Sequence, residues 1–432
     1  EAATIRIEPH DSDDIRIANN DVSVTLTTQI SNVDVVNGGW VIPDVADAKG
    51  TLSGNTYTFD DDETYAILGL RYTTPATLDI DVTDGTNTDI DGDAIEDQDL
   101  VFNSVGLRFY DDADGNNNAD GSGNDLPNQI AGVSYNQGIL RAIATDNTTG
   151  ECVSALQSAT TLPINFAYEC NNPNTCINNQ DFELAGNPIE ENDNNNVADY
   201  LSINLAFDAD GEAPFAMNYF DVGQITLHAN MTIPADGDNP AVAVTGESNP
   251  FVVKPHDLEV ISVKSNSGTA NPVKTDTGDG FVAAGEDFTV RVRAVNASNS
   301  ATPNFGKETG TAESVELNFN TLTFPAGVNG VLTPGTFALT STNGELQATD
   351  VSWNEVGTFT ADASIFDGNY LGAGDVTGTT SGNIGRFYPD RFTLSGDSVI
   401  DSCGSFSYLG APVDVDFTVT AERTAASGGG AV

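Results

Sequence analysis

The chain has 432 residues, with 64 aspartates and glutamates against 15 lysines and arginines, and so a formal charge of −49. This length is too great for one hydrophobic core and indicates three domains and part of a fourth. Nucleic acid is not expected as a partner, because phosphate recognition needs clustered cations, and an anionic membrane surface would repel the chain. No apolar run is long enough to predict a transmembrane segment. The acidity is typical of an extracellular protein in salt or calcium.

The first block, residues 1–92, shows the period-2 alternation of half-buried strands. Apolar residues take every second position at Val22, Val24 and Leu26, and again at Leu78, Ile80 and Val82. An Asp84-Gly85 turn follows the second segment, a pair that favours hairpins. We therefore predict an immunoglobulin-like β-sandwich. Trp40 is expected in its core, although it is the better ligand candidate of the two tryptophans.

The second block, residues 93–256, is β-rich but carries long polar loops at residues 111–126 and 190–199. Strands are predicted where apolar and polar residues alternate, with these apolar positions: Leu201, Ile203, Leu205 and Phe207; Ile225, Leu227, Ala229 and Met231; Val242 and Val244. Only residues 153–159 favour a short helix. A short apolar segment lies between Pro250 and Pro255, which stop strand pairing, so we interpret Pro255-His256 as a hinge between domains.

The third block, residues 257–394, is predicted to be another immunoglobulin-like sandwich. Its clearest strand places these residues on one face: Phe288, Val290, Val292 and Ala294. Residues 351–363 resemble the corner and penultimate strand of a sandwich, which puts Trp353 in the core rather than on the surface as a sugar platform. Residues 395–432 begin a further β domain, with an alternating strand from Val413 to Val419, and we expect it to continue beyond Val432. The fold class is therefore all-β, with sandwiches in series.

The four cysteines are Cys152, Cys170, Cys176 and Cys403, and no CxxC pair is present to hold zinc or exchange thiols. We predict at least one disulfide among the first three. Either Cys170 and Cys176 close a small loop, or Cys152 pairs with one of them, and the sequence does not choose. The partner of Cys403 is expected in the continuation of the incomplete domain. The alternative is that the cysteines are free buried thiols.

A polar loop after residue 111 carries oxygen-bearing side chains at alternate positions: Asp112, Asp114, Asn116, Asn118 and Asp120. Such ligands can wrap one hard cation, so we predict a Ca²⁺ site here. Asn117 replaces the usual glycine at position 6 and Gly123 replaces the glutamate at position 12, so the loop is not an EF-hand and its affinity should be modest. Residues 89–93 and 208–212 repeat the first three ligands as weaker candidates. The alternative is a solvated acidic turn.

No catalytic constellation is found. His10, His228 and His256 lie in different blocks, and the sequence has no HExxH, GxSxG or phosphate-binding loop. His228 falls on the polar face of its strand, as a surface histidine does. With 64 acidic residues, chance carboxylate pairs are inevitable, so glycoside hydrolysis is kept only as an alternative. We predict that the protein is not an enzyme.

Five phrases stand in order along the chain: CNNPNTC at 170–176, NYFDVGQITLHA at 218–229, NPFVVKP at 249–255, AVNASNSATPNFG at 294–306 and GRFYPDRF at 385–392. Together they resemble the MshQ family, proteins associated with the mannose-sensitive haemagglutinin (MSHA) type IV pilus. Residues 403–408 and 420–425 resemble the phrases that follow in such proteins. The resemblance covers nearly the whole chain from about residue 93.

The resemblance implies a large secreted protein on the surface of a Gram-negative bacterium, with pilus or cell-surface proteins as partners and no assigned catalytic residues. Family members often carry a lectin-like sandwich N-terminal to this region, which this chain lacks, so the resemblance does not assign sugar binding to it, and a glycan is kept as an alternative partner. We predict an extracellular structural or adhesive protein of MSHA pilus biogenesis or attachment. The alternatives are a self-associating filament subunit joined by β-strand addition, and a lectin or carbohydrate-active enzyme.

Overall fold

A computed structural model describes most of the chain. The described residues are 3–9, 22–30, 33–34, 39–42, 48–60, 63–71, 76–86, 100–102, 105–112, 124–145, 152–156, 158–178, 181–192, 199–235 and 241–432. They form mainly antiparallel sheets joined by turns, and helix is limited to short 3₁₀ turns such as Tyr370–Gly372 and Ala425–Ser427. The predicted all-β class is confirmed.

The N-terminal sandwich has two sheets. One contains, in spatial order, β1 (Ala3–Ile7), β7 (Ala66–Arg71) and β4 (Gly39–Val41). The other contains β5 (Thr51–Ser53), β6 (Thr56–Thr58), β2 (Ser23–Ile30), β8 (Ala76–Thr83) and β9 (Leu100–Phe102), with β3 (Val33–Asp34) paired to β2. The predicted alternation is confirmed, since Leu26, Leu78 and Ile80 are buried between the sheets. Trp40 is only 8% exposed, so it belongs to the core.

The second sandwich also has two sheets. One contains β10 (Val105–Asp111), β12 (Tyr135–Thr145), β18 (Glu212–Tyr219), β15 (Phe182–Leu184) and β16 (Asn187–Ile189), with β13 (Cys152–Ser154) paired to β12. The other contains β11 (Gln129–Ile130), β21 (Phe251–Lys254), β19 (Gly223–Ile233), β14 (Thr160–Asn172) and β17 (Leu201–Phe207), with β20 (Val242–Glu247) paired to β19. Aromatic rings join the sheets, as between Phe109 and Phe166, whose ring centres are 6.3 Å apart.

The short helix predicted for residues 153–159 is wrong. Val153 and Ser154 lie in β13, opposite Ala144 and Ile143 of β12. Pairing along an existing strand satisfies the backbone groups of this segment, so tertiary context overrides its weak helical preference.

The third sandwich also has two sheets. One contains β22 (Asp257–Ser265), β23 (Asp287–Val295), β27 (Glu345–Trp353) and β25 (Leu332–Thr333), with β26 (Ala338–Leu339) paired to β27. The other contains β24 (Val315–Phe324), β28 (Gly357–Ile365) and β29 (Ile384–Phe387). Trp353 is fully buried, with ring centres 5.3 Å from Phe319 and 4.4 Å from Phe359. Its predicted place in the core is confirmed.

The second and third sandwiches share one continuous hydrophobic cluster, whereas the first has its own. After the third sandwich, β30 (Arg391–Ile400) and β31 (Asp414–Glu422) form a two-stranded ribbon, as the alternation there predicted. The domain boundaries expected near residues 93, 256 and 394 stay predictions. In the described ranges, no helix has the length and apolarity needed to cross a membrane.

Candidate functional site

The predicted calcium loop lies almost entirely outside the described residues. Only Asp112 is described, and its backbone N–H donates to the carbonyl oxygen of Gln137 at 3.0 Å. Asp114, Asn116, Asn118 and Asp120 are not described, and neither is the weaker candidate at residues 89–93. The base of the loop is closed by a backbone hydrogen bond of 2.8 Å from Asp111 to Asn124. Calcium binding at this loop stays a prediction.

The other weak candidate, residues 208–212, is a turn held by its own side chains. Asp208 Oδ1 accepts hydrogen bonds from the backbone N–H groups of Asp210 at 2.9 Å and Glu212 at 3.0 Å. Arg141, which is almost fully buried, donates through Nε to the Asp210 carbonyl oxygen at 3.2 Å and lies 3.7 Å from Glu212 Oε1. One aspartate oxygen thus closes the turn, as Asp commonly does.

Among the described side chains, no group of three or more His, Cys, Asp or Glu is arranged to hold a metal ion. His228 lies between two carboxylates, with Nε2 3.1 Å from Glu169 and Nδ1 3.6 Å from Glu247. The two acids contact opposite ring nitrogens, so they cannot share one ion with the imidazole. The cluster instead ties β14, β19 and β20 together. His256 is exposed, and His10 lies outside the described residues.

A disulfide joins Cys170 and Cys176, which confirms the prediction of a disulfide and selects the small loop. Cys152 lies in β13, but its side chain is not described. Cys403 is free and exposed at the tip of the ribbon. The disulfide loop leads directly to the contact between the second and third sandwiches, because the next residue, Ile177, donates its N–H to Asn304 Oδ1 at 2.9 Å.

Asn304 is the centre of this contact, which we call the joint. Its amide nitrogen donates to Tyr219 Oη at 3.0 Å and to the Val222 carbonyl oxygen at 3.1 Å, while its backbone N–H donates to Asp221 Oδ1 at 3.1 Å. The residue is fully buried. Asn304 of the third sandwich therefore satisfies polar groups on two segments of the second, and sliding the sandwiches apart would remove these hydrogen bonds.

Buried acids surround Asn304. Asp221 is 1% exposed, and burial raises its pKa to about 8, with repulsion from Asp181 and Glu308 acting in the same direction. Burial also raises the pKa of Asp181 and of Glu308. Glu308 Oε1 accepts a hydrogen bond of 2.9 Å from the Tyr370 hydroxyl, and its Oε2 accepts one of 2.9 Å from the N–H of Glu313. The joint thus concentrates acidic groups whose ionisation is disfavoured by burial.

The backbone on both sides of Pro255-His256 is hydrogen-bonded, and the hinge predicted there stays a prediction. Only two residues separate β21 from β22, and the backbone on each side is bonded: Ala131 donates to Lys254 and His256 donates to Val295, both at 2.9 Å. The Lys254 ammonium donates to the carbonyl oxygens of Ala373 and Asp375 at 3.1 and 3.0 Å. Prolines mark the boundary in the sequence, and hydrogen bonds to distant segments connect it to both sandwiches.

A cavity of about 370 Å³ opens at the edge of the joint. Residues of both sandwiches line it, including Asn178, Asp181, Asn296 and Ser298. Asn296 does not face the cavity freely, because its amide nitrogen donates to the Phe220 carbonyl oxygen at 2.9 Å and its Oδ1 accepts from two backbone N–H groups of its own loop. The lining is therefore largely part of the joint itself.

Four of the five phrases that carry the sequence resemblance meet at the joint. They supply Cys176, then Tyr219 and Asp221, then Lys254, and finally Asn296 and Asn304. The fifth phrase, residues 385–392, contains the end of β29 and the start of the ribbon. These segments of the sequence thus supply residues to a contact between two sandwiches. Sequence reasoning missed this site because its residues are far apart along the chain.

Three family models match consecutive parts of the sequence. "Domain of unknown function (DUF6701), first Ig-like domain" matches residues 85–247, the DUF6701 second domain matches residues 254–349, and the DUF6701 third domain matches residues 355–428. The immunoglobulin-like fold class is confirmed. The limit between the second and third models falls within the third sandwich, at the end of β27, where Trp353 packs against Phe359 of β28.

Two solved structures show limited similarity. The D0-D1 domain of Intimin is 16% identical over 61% of this chain and 95% of its own, with a TM-score of 0.15. A Salmonella alpha-2-macroglobulin variant is 8% identical over 98% of this chain and 24% of its own, with a TM-score of 0.19. Both TM-scores are too low to inform the arrangement or role of this chain. No curated protein matches the sequence.

Proposed function

Because the chain belongs to the DUF6701 family and its second and third sandwiches are locked together, we propose that it is an extracellular structural and adhesive protein without catalytic turnover. The joint supports this role most directly. Asn304 and Asp221 hold the sandwiches in one orientation, so the pair acts as a stiff unit. A stiff unit can carry a binding surface away from the cell, whereas a flexible connection would let it fold back.

Hydrogen bonding within the protein accounts for the burial of Glu308 and Asn304 without a catalytic role. Glu308 accepts from backbone and tyrosine donors, and Asn304 uses both its donors and its acceptor within the protein. Groups satisfied in this way stabilise a contact. A substrate would have to displace these partners to bind.

More specifically, we propose that the protein is MshQ-like and serves MSHA pilus biogenesis or surface attachment in a Gram-negative bacterium. The five ordered phrases support this assignment. Pilus or other cell-surface proteins are the proposed partners. The acidic surface favours partners that are basic or that bind through divalent cations.

Deletion of the gene tests the proposal through three readouts: surface piliation, attachment and haemagglutination. We expect at least one to fall and the parent gene to restore it. Complementation with Asn304→Ala should restore it less well than complementation with Asn329→Ala, an exposed residue outside the joint. If the deletion leaves all three readouts unchanged, the proposed role is wrong.

The ribbon favours a second candidate, a filament subunit joined by β-strand addition. Away from its base, where residues 425–432 cover part of β31, each ribbon strand pairs only with the other among the described residues. Free strand edges can pair with a strand from another molecule. Electron microscopy of the purified protein separates the candidates, because strand addition predicts open-ended filaments and a stalk does not.

A further inference from the structure

The disulfide loop, residues 170–176, contacts one short segment of the third sandwich. Asn172 Oδ1 accepts a hydrogen bond of 2.7 Å from the backbone N–H of Thr309. The backbone N–H of Asn174 donates to Thr309 Oγ1 at 3.4 Å. The second sandwich is therefore bonded to the third through this loop as well as through the side chain of Asn304.

The disulfide itself lies beside the central side chain of the joint. Cys176 Sγ is 3.6 Å from the amide nitrogen of Asn304 and 3.2 Å from the hydroxyl of Tyr219. The next residue, Ile177, donates its N–H to Asn304 Oδ1 at 2.9 Å. Cys176 and Asn304 are both buried, so the cross-link is part of the contact and not only of the loop.

The segment that receives the loop, residues 304–309, is held by its own sandwich. Glu308 accepts hydrogen bonds from the N–H groups of Gly306 at 3.2 Å and Glu313 at 2.9 Å. Its Oε1 also accepts a hydrogen bond of 2.9 Å from the Tyr370 hydroxyl. The contact across the joint therefore depends on whether the loop keeps its own shape.

The two halves of the loop are held differently. Cys170 belongs to the part of β14 that pairs with β19, and Asn171 Oδ1 accepts a hydrogen bond of 2.9 Å from the Thr226 hydroxyl. Among the hydrogen bonds of the described residues, those of Asn174 and Thr175 stay within the loop or cross to the third sandwich. The disulfide therefore ties the second half of the loop to β14.

We propose that the Cys170–Cys176 disulfide is a redox-sensitive latch of the joint, which holds the loop in the shape that binds residues 304–309 and releases it on reduction. A cross-link between residues so close in sequence removes conformations that a detached loop could adopt, so it favours the attached state. Reduction restores those conformations and weakens the hydrogen bonds that the loop makes across the joint, while the apolar contact between the sandwiches remains. The inference goes beyond the proposed function and does not depend on it.

Reduction proceeds by thiol–disulfide exchange with a dithiol. A thiolate of the dithiol attacks Cys176 Sγ, forms a mixed disulfide and releases the Cys170 sulfur, which takes up a proton. The second sulfur of the dithiol loses its proton, attacks the dithiol sulfur in the mixed disulfide and releases Cys176, which is also protonated. The protein gains two electrons and two protons, and the dithiol leaves as a disulfide.

Accessibility favours attack at Cys176. This residue is 9% exposed, against 3% for Cys170, which lies within the paired part of β14. Thr175 and Ile177, on either side of Cys176, are exposed. A small dithiol therefore reaches the disulfide from the outer side of the loop, without unfolding either sandwich.

Hydrogen exchange resolved to single amides tests the proposal on the full chain, before and after treatment with dithiothreitol. We expect the N–H groups of Ile177 and Thr309, which donate across the joint, to exchange on the order of 50-fold faster in the reduced chain. Amides within β19 and β23 should keep their exchange rates, because the cores of the sandwiches are unchanged. Thr309 is the critical position, since it belongs to the third sandwich and responds only if the contact itself opens.

Two cysteine variants separate the disulfide from other effects of the reductant. Cys170→Ser with Cys176→Ser should exchange like the reduced parent and should not respond to dithiothreitol. The matched control is Cys152→Ser with Cys403→Ser, which also removes two cysteines but leaves the disulfide in place. This control should match the parent both before and after reduction. Circular dichroism checks that both variants keep their β structure.

Three results would overturn the proposal. If exchange at Thr309 is unchanged by reduction, Asn304 and the apolar contact hold the loop in place without the disulfide. If faster exchange is spread evenly through β14 and β19, the disulfide supports the second sandwich as a whole and is not a latch. If mass spectrometry finds the disulfide intact in the folded chain after dithiothreitol treatment, the contact is not redox-sensitive.

Discussion

At the residue scale, the buried Asp221 carboxyl is the least expected feature of the joint. Its Oδ1 accepts from the N–H groups of Val222 and Asn304, while its Oδ2 is buried without a hydrogen-bond partner. Burial opposes ionisation most strongly, and the nearby acids Asp181 and Glu308 add repulsion. The neutral form therefore fits the joint better than the charged form.

This environment predicts that stability falls as pH rises. The ordinary pKa of the group is 3.8, and in the folded chain it is raised to about 8. Between these values, the unfolded chain has lost the proton that the folded chain keeps, so the contribution of Asp221 falls by up to about 1.4 kcal/mol per pH unit. Asp221→Asn keeps an acceptor but cannot ionise. We expect this variant to lose that part of the pH dependence in urea unfolding between about pH 4 and pH 8.

The control for this prediction is Asp279→Asn, which changes an exposed aspartate outside the joint. Its pH profile should run parallel to that of the parent. If the Asp221→Asn profile is also parallel to the parent, Asp221 ionises in the folded chain much as it does in the unfolded chain, contrary to the expectation.

At the scale of elements, the joint makes two sandwiches one cooperative unit. The hydrophobic cluster is continuous across them, and Asn304 connects the loop before β24 to β18 and to the disulfide loop. Elements that share a core and a hydrogen-bond network tend to unfold together. The first sandwich has a separate core and is not part of this unit.

We expect Asn304→Ala to cost about 2 to 4 kcal/mol, because several buried groups lose their partner at once. Scanning calorimetry should resolve the transition of the second and third sandwiches into two, as the third unfolds earlier without its anchor. Asn329→Ala removes an amide from an exposed loop and should leave one transition. A single unshifted transition in Asn304→Ala would show that the hydrophobic contact alone couples the sandwiches.

At the scale of the whole molecule, the net charge of −49 works against compactness through self-repulsion. Apolar burial between the sheets offsets this repulsion, and the few cations are used at defined places. Arg141 lies beside Glu212, and Lys254 bridges to the third sandwich. A bound divalent cation would reduce the repulsion further wherever carboxylates are close.

Calcium should therefore raise the melting temperature, through the loop that begins at Asp112. Calorimetric titration is expected to show uptake in the millimolar range of extracellular sites. The double change Asp112→Ala and Asp114→Ala should weaken it, whereas Asp276→Ala with Asp279→Ala removes equal charge elsewhere and should not. If millimolar calcium produces neither a heat of binding nor a rise in melting temperature, the prediction of a calcium site is wrong.

The sequence by itself determined the strands and which of their faces is apolar, because side chains alternate across any strand with period 2. Phe288 to Ala294 and Ile225 to Met231 are buried as their spacing predicts. The core position of Trp353 follows from the same alternation. The short spacing of Cys170 and Cys176 already allowed the disulfide that closes their loop.

Only the tertiary structure decided which parts of the protein those faces and loops contact. Asn304 and Asp221 are 83 residues apart, and no local pattern marks two polar residues as buried partners. The segment around Val153 became a strand because β12 offered it an edge, and the proline-marked connection is hydrogen-bonded to segments far away in the chain. The ribbon obeys the same alternation as the buried strands, yet its apolar face is exposed. Periodicity fixes which side chains share a face, but whether that face is covered depends on long-range packing.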